Sequence, residues 1–323
     1  MPEETVQRLR PVWIASYPRS GNTFLRILLE QAFQLASYSL YNLEGQQHHD
    51  PSADALEHAP LLPPDWRQRT APGGEGQLTL IKTHGPPEDD APAIYLVRDG
   101  RAAIDSYFHY HQKFGFEQPS LVEVIAGACQ FGSWSRHVRA WRPAQRPRTL
   151  FLRYEELVAR PLELIPRLAG FLERAPVGGR VPTFVELQQR LPAFFRRGAS
   201  DSYLSEWTPG HLAFFNQLHG ATMGELGYDL VPGAGPEGSL LEELAASAAR
   251  LHDSYLEQLG QAGSLVAAVD ELERKQERLT QEKAELAEHA RRLDETLNAR
   301  WVRLGLALGL VRRDDPGKRT GGA

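Results

Sequence analysis

Of the 323 residues only Cys129 is a cysteine. That excludes a disulfide framework and a cysteine-based zinc cluster, and it fits a reducing compartment. The lone thiol has small and apolar neighbours in IAGACQFGSW and reads as a packing residue. Positive charge is not in excess either, since the formal net charge is −5. A general nucleic-acid binder, with its dominating basic surface, is disfavoured, and any anion site has to be local. Long hydrophobic runs are also missing. The longest, WVRLGLALGLV, contains Arg303 and is too short to cross a bilayer. The opening residues, MPEETVQRLRP, are charged and lack the apolar core of a signal peptide. The expectation is a cytoplasmic protein. His48, His49 and His58 have no acidic or cysteine partner at metal-ligand spacing, so they read as solvated loop residues and no metal is expected.

With 41% hydrophobic residues the chain can bury a core. VWIAS reads as a buried strand, and TFLRILLEQAFQL as the helix after it. LTLIK (78–82), AIYLV (93–97) and TLFLRY (149–154) are further short apolar runs, as expected of strands covered on both faces. Helical patterns span Arg101 to about Gln112, Ser120 to Trp141 and Glu155 to Glu173. The order predicts an α/β fold, a doubly wound and mostly parallel sheet flanked by helices. The aperiodic, His- and Pro-rich stretch 41–76 reads as a loop over the sheet edge.

SYPRSGNTF (16–24) joins the first strand to the first helix, where backbone N–H groups and the positive helix end meet an anion. Arg19 and Thr23 add side-chain donors, and Ser20 and Gly21 let the backbone come close to a ligand. The Walker pattern would need glycine at Ser16 and lysine at Asn22, which disfavours the alternative of a nucleotide kinase or NTPase.

These residues resemble the 5′-phosphosulfate loop of the sulfotransferases that use 3′-phosphoadenosine 5′-phosphosulfate (PAPS). IKTHGP (81–86), YLVRDGRAAIDSYFHY (95–110) and FFRRGASDSYLSEWTP (194–209) are similar, in order, to three further elements of that family. The resemblance, over roughly residues 11 to 230, implies a P-loop-like fold and metal-free sulfonyl transfer from PAPS to a hydroxyl. It implies His84 as the base, with Lys82 and Arg19 stabilising charge on the transferring group and leaving oxygen. It further implies Arg19, Ser20, Gly21, Asn22 and Thr23 around the 5′-phosphate, and Phe24 and Tyr154 near the adenine. Arg98, Ser106, Arg196, Arg197 and Gly198 fall to the 3′-phosphate. Tyr203 departs from the family's tryptophan, and no Gly-Asp precedes it.

LGYDLVPGAGPEG marks a boundary: a sulfotransferase-like domain over 1–230, a linker at 231–238 and a helical region over 239–313. Leu265, Leu272, Leu279, Leu286 and Leu293 recur every seven residues, with Val269, Gln276, Lys283, Ala290 and Leu297 at the other seam position. That pattern predicts a coiled coil, read as a parallel homodimer, with a single packed helix as the alternative. The apolar band at 299–313, flanked by arginines, reads either as a membrane-surface contact or as a further packing turn. By analogy with such tails, the acceptor is expected to be a saccharide, glycolipid or other small-molecule hydroxyl. Residues 314–323 are expected to be disordered. A third reading, a coiled-coil assembly protein without catalysis, is opposed by the Lys82, His84, Arg98 and Ser106 set.

Overall fold

The computed structural model describes residues 8–41, 56, 60–70, 76–114, 118–178, 180–190, 192, 202–233 and 238–307, with backbone alone at 202, 238–239, 252–268, 270, 294 and 297–307. Arg196, Arg197, Gly198, the three loop histidines and the tail 314–323 lie outside the described residues. The chain divides into two compact units, Met1–Arg250 and Leu251–Ala323.

The first unit is built on five parallel strands in the order β2-β3-β1-β4-β5, namely β1 (Leu9–Ala15), β2 (Ser37–Ser39), β3 (Gln77–Thr83), β4 (Ala93–Val97) and β5 (Thr149–Arg153). β1 lies between β3 and β4, so the winding reverses beside it, and the carboxyl ends of these strands border the crevice where α/β sheets bind ligands. Successive side chains alternate between two buried faces. Trp13 and Tyr95 point into one core, with α2 (Gly100–Phe114), α3 (Leu121–Ala126), α4 (Trp134–Trp141) and α8 (Pro209–Glu225). Val12, Ile14, Ile94 and Leu96 point into the other, with α1 (Asn22–Phe33), α5 (Tyr154–Ala159), α6 (Ile165–Leu172) and α7 (Phe184–Arg190). Apolar residues on both faces make the strands near-continuous hydrophobic runs in sequence. Cys129 packs against the first core, as its neighbours suggested.

The structure corrects the sequence reading in three places. The single helix expected from Ser120 to Trp141 is two, α3 and α4. At Gly127 the backbone turns left-handed with φ 82°, and a Cβ there would sit 2.2 Å from the Ser133 nitrogen, so α3 stops where the chain crosses itself. The helix expected over 155–173 is broken at Pro161, which starts a 3-10 turn before α6. β2 was not expected; it is a three-residue edge strand fixed from outside its own sequence. The buried Arg26 of α1 donates from Nε to the Ser37 hydroxyl at 2.7 Å and from Nη2 to the Ser37 carbonyl at 2.9 Å.

Helix α9 runs from Gly238 to Ala307, so the helical region expected from residue 239 is continuous through the described residues. Its first turns belong to the sheet-bearing unit. Leu240 is buried, His211 and Glu243 pair at 3.1 Å, and Arg250 bonds Glu123 of α3 at 3.1 Å. In the second unit Leu272, Leu279, Leu286 and Leu293 are exposed. No helix among the described residues is long and apolar enough to cross a membrane.

Candidate active site

The β1–α1 turn is shaped by its backbone before any side chain is considered. Arg19 adopts φ 62° and Gly21 φ 96°, two left-handed positions that turn the chain sharply into α1. Such a conformation costs a non-glycine residue about 1–2 kcal/mol, and it is held by Arg98, whose Nη1 donates to the Arg19 carbonyl at 3.0 Å. Gly21 is needed for space as well as for φ. A Cβ there would lie 2.5 Å from the Tyr154 ring. That ring carries the Arg98 guanidinium on its face, 4.3 Å from the centroid. Burial pushes the Tyr154 hydroxyl above its ordinary pKa, against the opposing effect of Arg98.

Asn22, where a triphosphatase would carry lysine, is spent on the loop itself. Its amide donates to the Ile14 carbonyl and to the Ser16 hydroxyl, both at 3.1 Å, tying the start of α1 to the end of β1. The Ser20 hydroxyl is fully buried and has no hydrogen-bond partner among the described residues. A buried orphan of this kind suits a loop that receives a polar ligand. Thr23 is half-buried in the first turn of α1. Phe24 is wholly buried, its ring 6.2 Å from that of Phe184 in the second core.

The carboxyl end of β4 brings in Arg98, and α2 brings in Ser106. Arg19 links the two, because its Nε donates to the Ser106 hydroxyl at 3.2 Å and its guanidinium lies 5.2 Å from the Tyr110 ring centre. α2 itself is pinned at its start by Asp99, which pairs with Arg101 at 2.6 Å in a buried ion pair. The Arg101 guanidinium in turn lies 5.0 Å from the ring centre of Tyr203, the residue that departs from the family's tryptophan. Tyr203 is buried there and packs edge-on against Trp207.

The end of β3 supplies Lys82 and His84. Lys82 is only 5% exposed. His84 Nδ1 lies 2.7 Å from the Ser16 carbonyl oxygen, and a carbonyl can only accept, so Nδ1 carries a hydrogen and, in the neutral ring, Nε2 the lone pair. Two residues that sequence reasoning passed over complete this corner. Tyr41, just past β2, stacks parallel to the His84 ring at 5.8 Å with a 10° interplanar angle. Phe131, between α3 and α4, packs edge-on against both rings at 5.4 Å. No motif carried either, since each belongs to an irregular segment.

Arg19, Lys82 and Arg98 thus converge from the carboxyl ends of three neighbouring strands, with a histidine of defined tautomer beside them. The arrangement can hold a multiply charged anion and take a proton next to it.

Comparison with known proteins bears on the same region. Human sulfotransferase 1E1 is 29% identical over 184 residues, which are 50% of this chain and 59% of that protein. Human sulfotransferase 4A1 is 26% identical over 183 residues, with the same coverage of 50% and 59%. This chain thus spans 59% of the length of these two relatives. The mouse sulfotransferase SULT7A1 complexed with PAP aligns with a TM-score of 0.48 at 19% identity, covering 67% of this chain and 85% of that one. The family model described as the sulfotransferase domain matches residues 9–227, from the first strand to just past α8. That match takes in the β1–α1 loop, Lys82, His84, Arg98 and Ser106 within one continuous span, and the chain belongs to the sulfotransferase domain family.

Proposed function

We propose that this chain transfers a sulfonyl group from PAPS to a hydroxyl acceptor, with His84 as the general base. The observation that carries the reading is the tautomer of His84. Its Nδ1–H is engaged by the Ser16 carbonyl, so the Nε2 lone pair is the one left to take a proton, at the mouth of an anion-binding loop.

The residues present suit PAPS. The β1–α1 turn offers the backbone N–H groups of Gly21 to Thr23, the buried Ser20 hydroxyl and the Arg19 guanidinium to the 5′-phosphosulfate. Arg98 and Ser106, already joined through Arg19, suit the 3′-phosphate, with Arg196, Arg197 and Gly198 assigned to the same group. Tyr154, packed on Gly21, borders the place for the adenine together with Phe24. When bound, PAPS supplies an activated sulfonyl group on a good leaving phosphate. His84 Nε2 takes the acceptor hydroxyl proton as the oxygen attacks sulfur. Lys82 and Arg19 offset charge growing on the transferring group and the leaving oxygen, and no metal is needed for that role.

The acceptor is assigned to a saccharide, glycolipid or other small-molecule hydroxyl, by analogy with enzymes that carry comparable tails. The exposed leucines of α9, Leu272 at 65% and Leu286 at 70%, support a homodimer formed through that helix in a cytoplasmic protein. The apolar band at 299–313, whose side chains lie outside the described residues, is assigned to peripheral membrane contact.

Calorimetric titration with 3′-phosphoadenosine 5′-phosphate (PAP), with 5′-AMP and with ATP plus magnesium tests the cofactor. Preference for PAP that is lost in Arg98→Ala supports the reading. Equal or tighter ATP binding overturns it in favour of a kinase.

A further inference from the structure

We propose that Tyr41 is a positioning residue that sets the orientation and proton affinity of His84, and that the edge strand β2 serves to hold it there. This rests on the reading of His84 as the base.

Three contacts converge on this one side chain. The His84 backbone N–H donates to the Tyr41 hydroxyl oxygen at 2.7 Å. The Tyr41 ring stacks on the imidazole at 5.8 Å, within 10° of parallel. The Lys82 ammonium lies 5.7 Å from the centre of the same ring. Tyr41 therefore touches both the proposed base and the cation beside it, although it is 43 residues from His84 in sequence.

The surrounding backbone fixes where Tyr41 stands. β2 pairs with β3 in a register that sets Ser39 opposite Lys82, and the Leu40 nitrogen then donates to the Lys82 carbonyl at 3.1 Å. The Tyr41 nitrogen donates to the Ser39 hydroxyl at 3.3 Å, turning the chain so that its ring comes over His84. At the other end of β2, Arg26 grips Ser37 with two hydrogen bonds. A three-residue edge strand is weak by itself, so this anchoring gives β2 the rigidity that the placement of an imidazole demands.

The chemistry follows from the electron-rich face of the phenol ring. A protonated imidazole is attracted to that face, and a neutral one much less. Removing the ring lowers the proton affinity of His84 and frees it to rotate. Among the described residues, the titratable groups in this corner are Lys82, two residues before His84 on β3, Tyr17, next to Ser16, and His137 on α4, whose ring meets that of Tyr17 edge-on. His137, whose Nδ1 lies 2.9 Å from the Tyr95 hydroxyl, is held neutral by burial, with its pKa lowered to about 3. Tyr17 is held neutral by the same cause. Lys82 is positive and lowers the affinity of His84 for a proton, so the Tyr41 ring opposes it.

The test follows the His84 ring and amide signals by NMR in the full chain across pH, in wild type, Tyr41→Phe and Tyr41→Leu, with His84→Asn giving the assignment. Tyr41→Leu is expected to move the His84 midpoint down by about half a pH unit. The acid limb of the turnover profile should follow it, with kcat reduced roughly tenfold and PAP affinity unchanged. Tyr41→Phe keeps the ring and is expected to keep the midpoint, while the His84 amide proton moves upfield as its acceptor is lost. An unchanged midpoint in Tyr41→Leu, or an unchanged amide signal in Tyr41→Phe, overturns the proposal. A wild-type protein that neither binds PAP nor transfers a sulfonyl group refutes the function instead, and the NMR midpoints then still decide whether Tyr41 controls His84.

Discussion

The Arg98 guanidinium lies on the face of the Tyr154 ring, and the edge of that ring is what any side chain at position 21 would strike. One aromatic side chain thus connects the cation at the end of β4 to the glycine that opens α1. Substituting Gly21 by alanine forces a left-handed alanine and displaces the ring. The expected cost is on the order of 2 kcal/mol of stability, together with weaker PAP binding as Arg98 loses its platform. A thermal melt and a calorimetric titration of Gly21→Ala check both parts. Unchanged PAP affinity would separate the ring from the anion site.

Arg98→Ala should remove most of the advantage of PAP over 5′-AMP. A charged hydrogen bond contributes about 1.5–3 kcal/mol, so the ratio of the two affinities should fall by roughly 10- to 150-fold. The comparison of two ligands matters, because general loosening of the loop would weaken both alike.

His84→Ala should lower kcat by about 10²- to 10⁴-fold, the range for a positioned general base. PAP affinity should stay within a few-fold of wild type, since His84 is assigned to the acceptor side. Near-normal turnover with PAPS would remove His84 from the mechanism.

Acid should destabilise the first unit through two core histidines outside the proposed chemistry. Burial lowers the pKa of His137 to about 3 and of His219 to about 4. Both stay neutral in the fold while the unfolded chain takes up protons near pH 6.5. Their contribution is therefore full above that value and is lost as pH falls through it toward 4, by about 2 kcal/mol each at pH 5. Urea midpoints at pH 7 and pH 5 measure the loss. His219→Gln, which keeps a donor for the Ile125 carbonyl that His219 Nε2 now bonds at 2.9 Å, should shrink it by about half.

Replacing Leu279 and Leu286 by lysine should convert a dimer into a monomer at micromolar concentration, as read by light scattering. Both leucines are exposed on α9, so folding of the single chain should survive. Wild type that is already monomeric would refute the coiled-coil homodimer.

The central strands were legible because each is buried on two faces, and VWIAS, LTLIK and AIYLV carry that condition in their own residues. The β1–α1 loop, Lys82, His84 and Arg98 were singled out because they sit in short motifs at strand ends, and Ser106 because it follows Arg98 by eight residues, on α2. Tyr41 and Phe131 were not. Each reaches His84 from an irregular segment, and Tyr41 does so past a three-residue strand gripped by a buried arginine eleven residues before Ser37. The break between α3 and α4 escaped notice because apolar periodicity continues across it. Only the close approach at Gly127 stops the helix.

The all-parallel order of the sheet also sets a schedule for synthesis. β1 pairs with no strand close to it in sequence; Trp13 meets Ile81 on one side and Ala93 on the other. At ribosomal speeds of about 5–20 residues per second, roughly 4–16 s separate the emergence of Trp13 from that of its second partner. For most of that interval, until Ile81 emerges, one of the most apolar segments of the chain has neither edge satisfied, and long-range pairing of this kind is slow even once all strands are available. The time this strand spends unpaired, rather than any feature of the finished fold, would then govern how much of the chain reaches the folded state.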